Sequence, residues 1–250
     1  MKYNPFSLEE RVILITGASS GIGKATAIEC SRMGATVVIT ARNKSRLEET
    51  FNSLEGEGHS MIIADLKQEN DINCIIKQSP LLDGIVHCAG LVTTQLFQFI
   101  SRKELTQIME VNFTSPVIMT QMLLEQKKIK KESSIVFISS VMGTHVSSIG
   151  NSMYSSTKSA IEGMVKGMAL DLSGKKIRVN CICPGMVDTG FIANGAIAEE
   201  QLQKDAKENY PLKRYGKPEE IAYATIYLLS GASNWITGSS LLIDGGFTLK

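Results

Sequence analysis

Short apolar, β-branched runs recur along the chain and alternate with longer amphipathic stretches. The runs fall at 12–16, 36–40, 61–64, 84–88, 134–139, 177–183 and 240–243. Each is continuous, the pattern of a strand buried on both faces, and the stretches between them suit the right-handed helical crossovers of a parallel sheet. The predicted fold is therefore α/β: a doubly wound parallel sheet of about seven strands, Rossmann-type, with helices on both faces. No repeat, low-complexity tract or Pro/Gly/Ser linker interrupts the pattern, so residues 1–250 are expected to form a single domain.

The segment 186–210 breaks the rhythm. Gly190, Asn194 and Gly195 precede a polar run rich in Glu, Gln and Lys. It leaves the carboxyl end of the sixth strand, where open α/β sheets bind ligands, and reads either as a substrate lid or as a solvated surface helix.

Composition narrows the function classes. With 43% hydrophobic and 20% charged residues the chain has material for a core, which excludes disorder. A formal net charge of +1 excludes a phosphate-tracking nucleic-acid binder. The five cysteines are scattered, only Cys181 and Cys183 lying close together, and the histidines His59, His87 and His145 lack metal-shell spacing. Neither a disulfide framework nor a metal site is expected. The first residues contain no apolar signal core, and no run reaches the roughly 18 residues of a membrane span. A cytoplasmic protein with no membrane or nucleic-acid partner is expected.

Directly after the first run comes Thr16-Gly17-Ala18-Ser19-Ser20-Gly21-Ile22-Gly23, which opens an Ala-rich helical stretch. Glycines there permit a tight turn and close backbone approach, and the helix start offers free N–H groups to a pyrophosphate. The second run ends in Ala41-Arg42, where an acidic residue would bond the ribose hydroxyl of NAD. An arginine instead favours the extra phosphate of NADP(H). Asp65, after the third run, is placed either to bond an adenine amino group or to cap the next helix.

Tyr154 and Lys158 stand four residues apart in a helical stretch and so share a face. A phenol needs its pKa of about 10 lowered to exchange protons near neutrality, and a nearby ammonium contributes to that. Ser140, ending the fifth run, puts a hydroxyl at the same edge of the sheet, where it can hold a substrate oxygen. Four residues after Asn112 lies Pro116, which either kinks a helix and frees the Asn112 carbonyl or sits harmlessly in a first turn.

Together the 16–23 glycine turn, Ala89-Gly90, Asn112, Ser140, Tyr154-x-x-x-Lys158 and Pro184-Gly185 resemble the classical short-chain dehydrogenase/reductase family over essentially the whole chain. The 211–221 segment and the stretch from Ile236 to Gly246 are similar to those of bacterial 3-oxoacyl-acyl-carrier-protein reductases, and are shared with sugar, polyol and other ketone reductases. The resemblance implies an oxidoreductase acting on a carbonyl or secondary alcohol. It makes Ser140 the polarising group, Tyr154 the general acid or base, Lys158 its modulator and a holder of the nicotinamide ribose, and Asn112 the support of a proton-relay water. It also implies coenzyme contacts from Leu66, Pro184, Gly185, Val187 and Thr189, and a homotetramer, for which the apolar residues of 113–124 supply a surface. A small-molecule or acyl-carrier-borne substrate follows. Lys127, Lys128, Lys130, Lys131, Lys175 and Lys176 offer either a docking surface for an acidic carrier or ordinary solvated charge. His87-Cys88 departs from the family's Asn-Asn, and the loop between Ser140 and Tyr154 is one residue longer than usual. A nucleotide-sensing protein without catalysis, or a sugar epimerase or dehydratase, is the competing class; the intact tyrosine and lysine speak against the first, and the lack of a large carboxyl-terminal domain against the second.

Overall fold

In the computed structural model, which describes residues 3–190 and 199–249, seven strands form one parallel sheet. They are β1 (Val12–Thr16), β2 (Thr36–Ala41), β3 (Ser60–Ile63), β4 (Leu82–His87), β5 (Ile129–Ile138), β6 (Arg178–Pro184) and β7 (Ser240–Ile243), in the order β3-β2-β1-β4-β5-β6-β7. The order reverses between β1 and β4, which opens a crevice at their carboxyl ends.

Alternation along each strand divides the core. Leu14 and Ile85 face α3 (Glu69–Gln78), α5 (Ser115–Glu125) and α6 (Ser152–Asp171), which bring Ile75, Leu123 and Ile161. Ile13, Ile15 and Val86 face the opposite layer, where α1 (Gly21–Arg32), α2 (Lys44–Phe51) and α8 (Pro218–Leu229) supply Ala27, Leu47 and Leu229. The remaining helices are α4 (Arg102–Met109) and α7 (Glu199–Asn209).

Two features differ from the sequence pattern. β5 begins five residues before its apolar run, at Ile129 rather than Ser134. Its added start is polar: Glu132 has φ +63° and Lys130 donates to Asp83 at 2.8 Å. The pairing shifts register between Leu82 and Gly84, so the strand's amino end lies where hydrophobicity does not mark it. At Pro116 the chain follows the second of the two readings, with an irregular turn ahead of it. It is helical from α4 into α5, but one π turn over Glu110–Thr114, in which the Ser115 N–H donates to the Glu110 carbonyl, precedes the proline. Pro116 thus stands in the first turn of α5, where a missing N–H costs little.

His87, at the end of β4, is buried, stacks on Phe137 with ring centroids 4.5 Å apart, and bonds the Thr120 hydroxyl through Nε2 at 2.8 Å. Thr120 itself donates to the Pro116 carbonyl, so the ring is the donor to Thr120 and its Nδ1 is left as a lone pair without a partner. Burial pushes His87 down from 6.5 to about 3. The unfolded chain therefore takes up a proton below pH 6.5 that the folded chain refuses, and stability is lost as pH falls through that window. The slope from this residue reaches about 1.4 kcal/mol per pH unit. Urea midpoints at pH 7 and pH 5 are expected to reveal about 2 kcal/mol more acid destabilisation in the wild type than in His87→Asn. The same pH dependence in both proteins would contradict this assignment.

Candidate functional site

The turn after β1 is fastened to the turn after β4 by one hydroxyl: Thr16 Oγ1 accepts from the N–H groups of Cys88 and Ala89, each at 3.2 Å. Gly17 has φ +68°, and a Cβ there would lie 2.7 Å from the Ala89 nitrogen. Gly21, at φ +52°, similarly has Thr189 within 3.0 Å of where a Cβ would stand. Both positions are confined to glycine by conformation and by space. Ser20 precedes α1 but makes no side-chain cap, and the first turn carries no acidic residue. The helix thus presents unpaired N–H groups with positive potential, the arrangement that receives a pyrophosphate.

These elements border a cleft of about 680 Å³. Its walls include Gly17, Ser19, Ser20, Gly21, Ile22 and Gly23, then Arg42, Asp65 and Leu66, then Ala89, Gly90 and Thr189, all expected from the sequence. Pro184, Gly185 and Val187 do not line it. The Pro184 carbonyl accepts from Val141 N–H at 3.0 Å, Gly185 packs on Asp244, and Val187 bridges to Gly216, so in this structure these three shape neighbouring loops. Asp65 both borders the cleft and organises the chain entering α3, where its carboxylate accepts from Lys67 N–H at 3.1 Å.

Arg46, which the sequence reading missed, joins Arg42 at the end of β2. It is the third residue of α2, with its N–H capped by Asn43 at 3.0 Å, so the first turn of that helix returns a second guanidinium to the cleft. Its signal was arginine repeating at a spacing of four across a helix start. Neither arginine enters a salt bridge among the described residues.

Next to Gly90 of the cleft, where a Cβ would lie 3.7 Å from Lys158 Nζ, α6 carries Tyr154 and Lys158 against the end of β5; these two, like Ser140 and Asn112, adjoin the cleft without lining it. The Ser140 hydroxyl accepts from Met142 N–H at 3.1 Å and faces the Tyr154 phenol closely enough to act on its pKa. Lys158 Nζ donates to the Ile138 carbonyl at 2.8 Å and lies 5.6 Å from the centre of the Tyr154 ring. Burial raises the Tyr154 phenol and the Ser140 hydroxyl pulls it back down. Lys158, from which the sequence reading expected the depression, is itself pushed down by burial to about 8. Its charge competes with the same desolvation that acts on the tyrosine.

Asn112 adjoins this group, but its side chain is occupied. Oδ1 accepts from Leu91 N–H at 2.7 Å, while Nδ2 donates to the Leu91 carbonyl at 2.9 Å and to Thr157 Oγ1 at 3.1 Å. The side chain clips the β4 loop to α6, and only the main-chain carbonyl is left for the water relay suggested by the sequence.

The 186–210 segment is described at 186–190 and 199–210; Asn194, Gly195 and the rest of 191–198 lie outside the described residues. α7 is anchored on its far side, where Tyr215 donates to Asp205 at 2.6 Å and Tyr210, accepting from Met186 N–H at 3.1 Å, stacks on Phe247. The lysines of the expected docking surface lie away from the phenol. Lys127, Lys128, Lys130 and Lys131 sit at the amino end of β5, a strand of 10 residues that ends beside Ser140. Strand rise puts them about 30 Å from the phenol. Lys128 also donates to Ser79, Lys130 pairs with Asp83 and Lys176 with Glu132.

A family model described as "Enoyl-(Acyl carrier protein) reductase" matches residues 17–248. The 3-oxoacyl-(acyl-carrier-protein) reductase of Thermotoga maritima is 32% identical over 97% of this chain and 99% of its own. Dehydrogenase/reductase SDR family member 6 of Rattus norvegicus is 30% identical over 97% and 99%. A solved short-chain dehydrogenase/reductase from Serratia marcescens superposes with a TM-score of 0.88 at 32% identity, covering 98% of this chain and 100% of that one.

Replacing Tyr154 by Phe is expected to leave coenzyme binding near normal while turnover falls by about 10²- to 10⁴-fold, because only the transferable proton is removed. Lys158→Ala should lower both. The Lys158 ammonium is lost as pH rises through about 8, so the wild-type rate of carbonyl reduction should decline on that alkaline limb. Rates measured from pH 6 to 10, with coenzyme binding followed by fluorescence, check both statements; a variant Tyr154→Phe keeping a substantial fraction of the rate would sink the assignment.

Proposed function

The chain belongs to the short-chain dehydrogenase/reductase family, whose members are oxidoreductases using nicotinamide coenzymes, and from that premise we propose that it reduces a 3-oxoacyl thioester with NADPH. The observation that carries the reaction is the gathering of Ser140, Tyr154 and Lys158 at the end of β5, next to Gly90 of the cleft that the glycine turn borders. In this reading the substrate carbonyl accepts from Ser140 and Tyr154. The phenol delivers the proton as hydride reaches the carbonyl carbon, and Lys158 orients the ribose and stabilises the phenolate. Asn112, through its main-chain carbonyl, supports the returning proton.

The choice of NADP(H) rests on Arg42 and Arg46, two guanidinium groups at the end of β2 where NAD selection calls for a carboxylate. Each charge-assisted bond to a phosphate is worth about 1.5–3 kcal/mol. Arg42→Ala and Arg46→Ala should each weaken NADPH by on the order of tenfold or more and leave NADH nearly unchanged. Equal losses for both coenzymes would make the arginines structural.

The thioester is favoured over a keto sugar or polyol by the apolar surface beside the site. Leu91 of the cleft leads into exposed Val92, Leu96 and Phe97, and this loop is joined to the one bearing exposed Ile149 by the Gln95 N–H to Gly150 carbonyl bond at 2.8 Å. An acyl chain covers such side chains, whereas a polyhydroxylated substrate does not. The resemblance of rat family member 6, at 30% identity, keeps a second reading in view: a dehydrogenase of another alcohol. A panel of acetoacetyl thioester, keto sugar and cyclic ketone, read by NADPH oxidation, separates them. The thioester should have the highest kcat/KM; preference for the sugar overturns the proposal.

We also propose a homotetramer of one-domain subunits with the 186–210 segment as substrate lid. Support for association comes from a groove of about 370 Å³ between α5 and α6, lined by Val117, Leu124, Met168 and Leu172, with Ile118 and Leu170 exposed nearby. A second copy is the occupant that the family pattern suggests. No helix among the described residues is long and apolar enough to cross a membrane; cytoplasmic placement is a separate part of the proposal.

A further inference from the structure

We propose that His145, Glu162 and Cys183 form a binding site for a borderline-soft divalent cation of the Zn²⁺ class, which fastens the loop following Ser140 to α6 and β6. The three residues come from a loop, a helix and a strand, and their ligand atoms all lie within 4.8 Å of one another. Glu162 is 5% exposed and Cys183 fully buried, while His145 is exposed. Among the described residues this is the group whose donor atoms converge in that way.

The buried carboxylate is the independent observation that points to a ligand. Glu162 Oε2 accepts from Thr144 Oγ1 at 2.7 Å, but Oε1 has no partner. A carboxylate oxygen inside a protein without a donor or cation is costly. Thr144 is the immediate neighbour of His145, so the hydroxyl that orients the carboxylate also delivers the imidazole to it. The loop is shaped for this approach: Gly143 comes so near α6 that a Cβ would lie 3.0 Å from Ser159 Oγ, and Gly143 N–H and Val146 N–H close a turn onto Val146 and Val141.

The donor set decides the class of ion. A thiol beside an imidazole and one carboxylate oxygen is a mixed S/N/O set, suited to Zn²⁺ or Co²⁺ and not to Mg²⁺ or Ca²⁺, which take oxygen ligands. Zn–ligand bonds of 2.0–2.3 Å put tetrahedral donors about 3.5 Å apart. The widest separation must therefore contract by roughly 1 Å, and His145, on an exposed loop, is the residue free to supply that movement. The fourth position is left to water.

Binding replaces the Cys183 thiol proton, which passes to solvent, with a metal–sulfur bond; nothing is oxidised or reduced. Because the thiol must give up its proton to bind the ion, affinity should rise with pH. The titratable groups facing this sulfur are Cys181 on its own strand, Glu162 on α6, with Lys166 beside Cys181, and Lys158 nearer the phenol. Because the loop begins at Ser140, an occupied site would hold that hydroxyl's loop against α6.

Cobalt titration of the full-length, chelator-treated protein tests the proposal, and it reads the site without reference to substrate or coenzyme. One equivalent of Co²⁺ should give a thiolate-to-cobalt charge-transfer band, displaced by Zn²⁺ and lost in Cys183→Ser. His145→Ala changes an exposed residue and so tests the site if the buried variants misfold; it should weaken binding about tenfold or more. Absence of the band up to millimolar Co²⁺ in the folded wild type, or unchanged affinity in His145→Ala, overturns the site.

Discussion

Parallel pairing in a shared rank governs everything at the working edge of this protein. Thr16 pairs with Thr40 on one side and His87 on the other, His87 with Phe137, and Phe137 with Cys181. Whatever follows these residues emerges along one line. Glycine turn, arginine, Ala89-Gly90 and Ser140 are distant in sequence, yet each follows a strand that ends at this rank. A sheet with one antiparallel member would send that strand's loop to the opposite edge. The same rule puts Lys127, Lys128, Lys130 and Lys131 at the amino end of β5, near Ser140 in sequence and at the far end of the strand in space.

Crowding so many chain ends at one edge creates a polar problem, and side chains solve it in pairs. Thr16 serves the two N–H groups after β4, Asn112 serves both backbone groups of Leu91, and Ser139 Oγ donates to the Lys158 carbonyl at 3.1 Å while Lys158 Nζ donates to Ile138. β5 and α6 are thereby stitched in both directions. The π turn belongs to the same solution. One extra residue in a helix rotates the following face by about 100°. Asn112 can then reach Leu91 and Thr157 while Ser115, just beyond, donates to the Leu66 carbonyl at 2.6 Å. A regular α-helix through 102–125 would not aim both side chains at loops leaving two different strands.

What was legible in the sequence follows from how each signal is generated. Strands buried on both faces advertise themselves as apolar runs, so six of the seven starts agree with the pattern to within two residues, and β5, which begins in Ile129-Lys130-Lys131-Glu132, does not. The glycine turn and the Tyr154/Lys158 pair are local in sequence and their geometry follows from helix and turn rules. Arg46 needed the register of α2, which depends on Asn43 capping it. His145, Glu162 and Cys183 are invisible to spacing rules because three separate elements supply them, and the expectation of no metal site came from spacing alone. His87 shows in sequence only as a departure from the family's Asn-Asn, and its rank in β4 is what puts it between Phe137 and Thr120.

Burial also gives the proposed chemistry a pH window. A carbonyl reduction needs a loaded phenol, and the raised Tyr154 pKa keeps the proton in place at neutral pH. Alcohol oxidation needs the phenolate, which becomes more available as pH rises. Over that same rise, however, Lys158 passes through its lowered pKa of about 8 and surrenders the charge that would stabilise a phenolate. The two conditions for oxidation therefore oppose one another, whereas the two for reduction, phenol protonated and ammonium charged, hold together below that pH. Desolvation of a tyrosine and a lysine on one helix face, acting on groups of opposite charge type, thus sets the pH window in which the proposed proton donor is loaded and its neighbour charged, while the direction of turnover is left to the coenzyme ratio and the proton concentration.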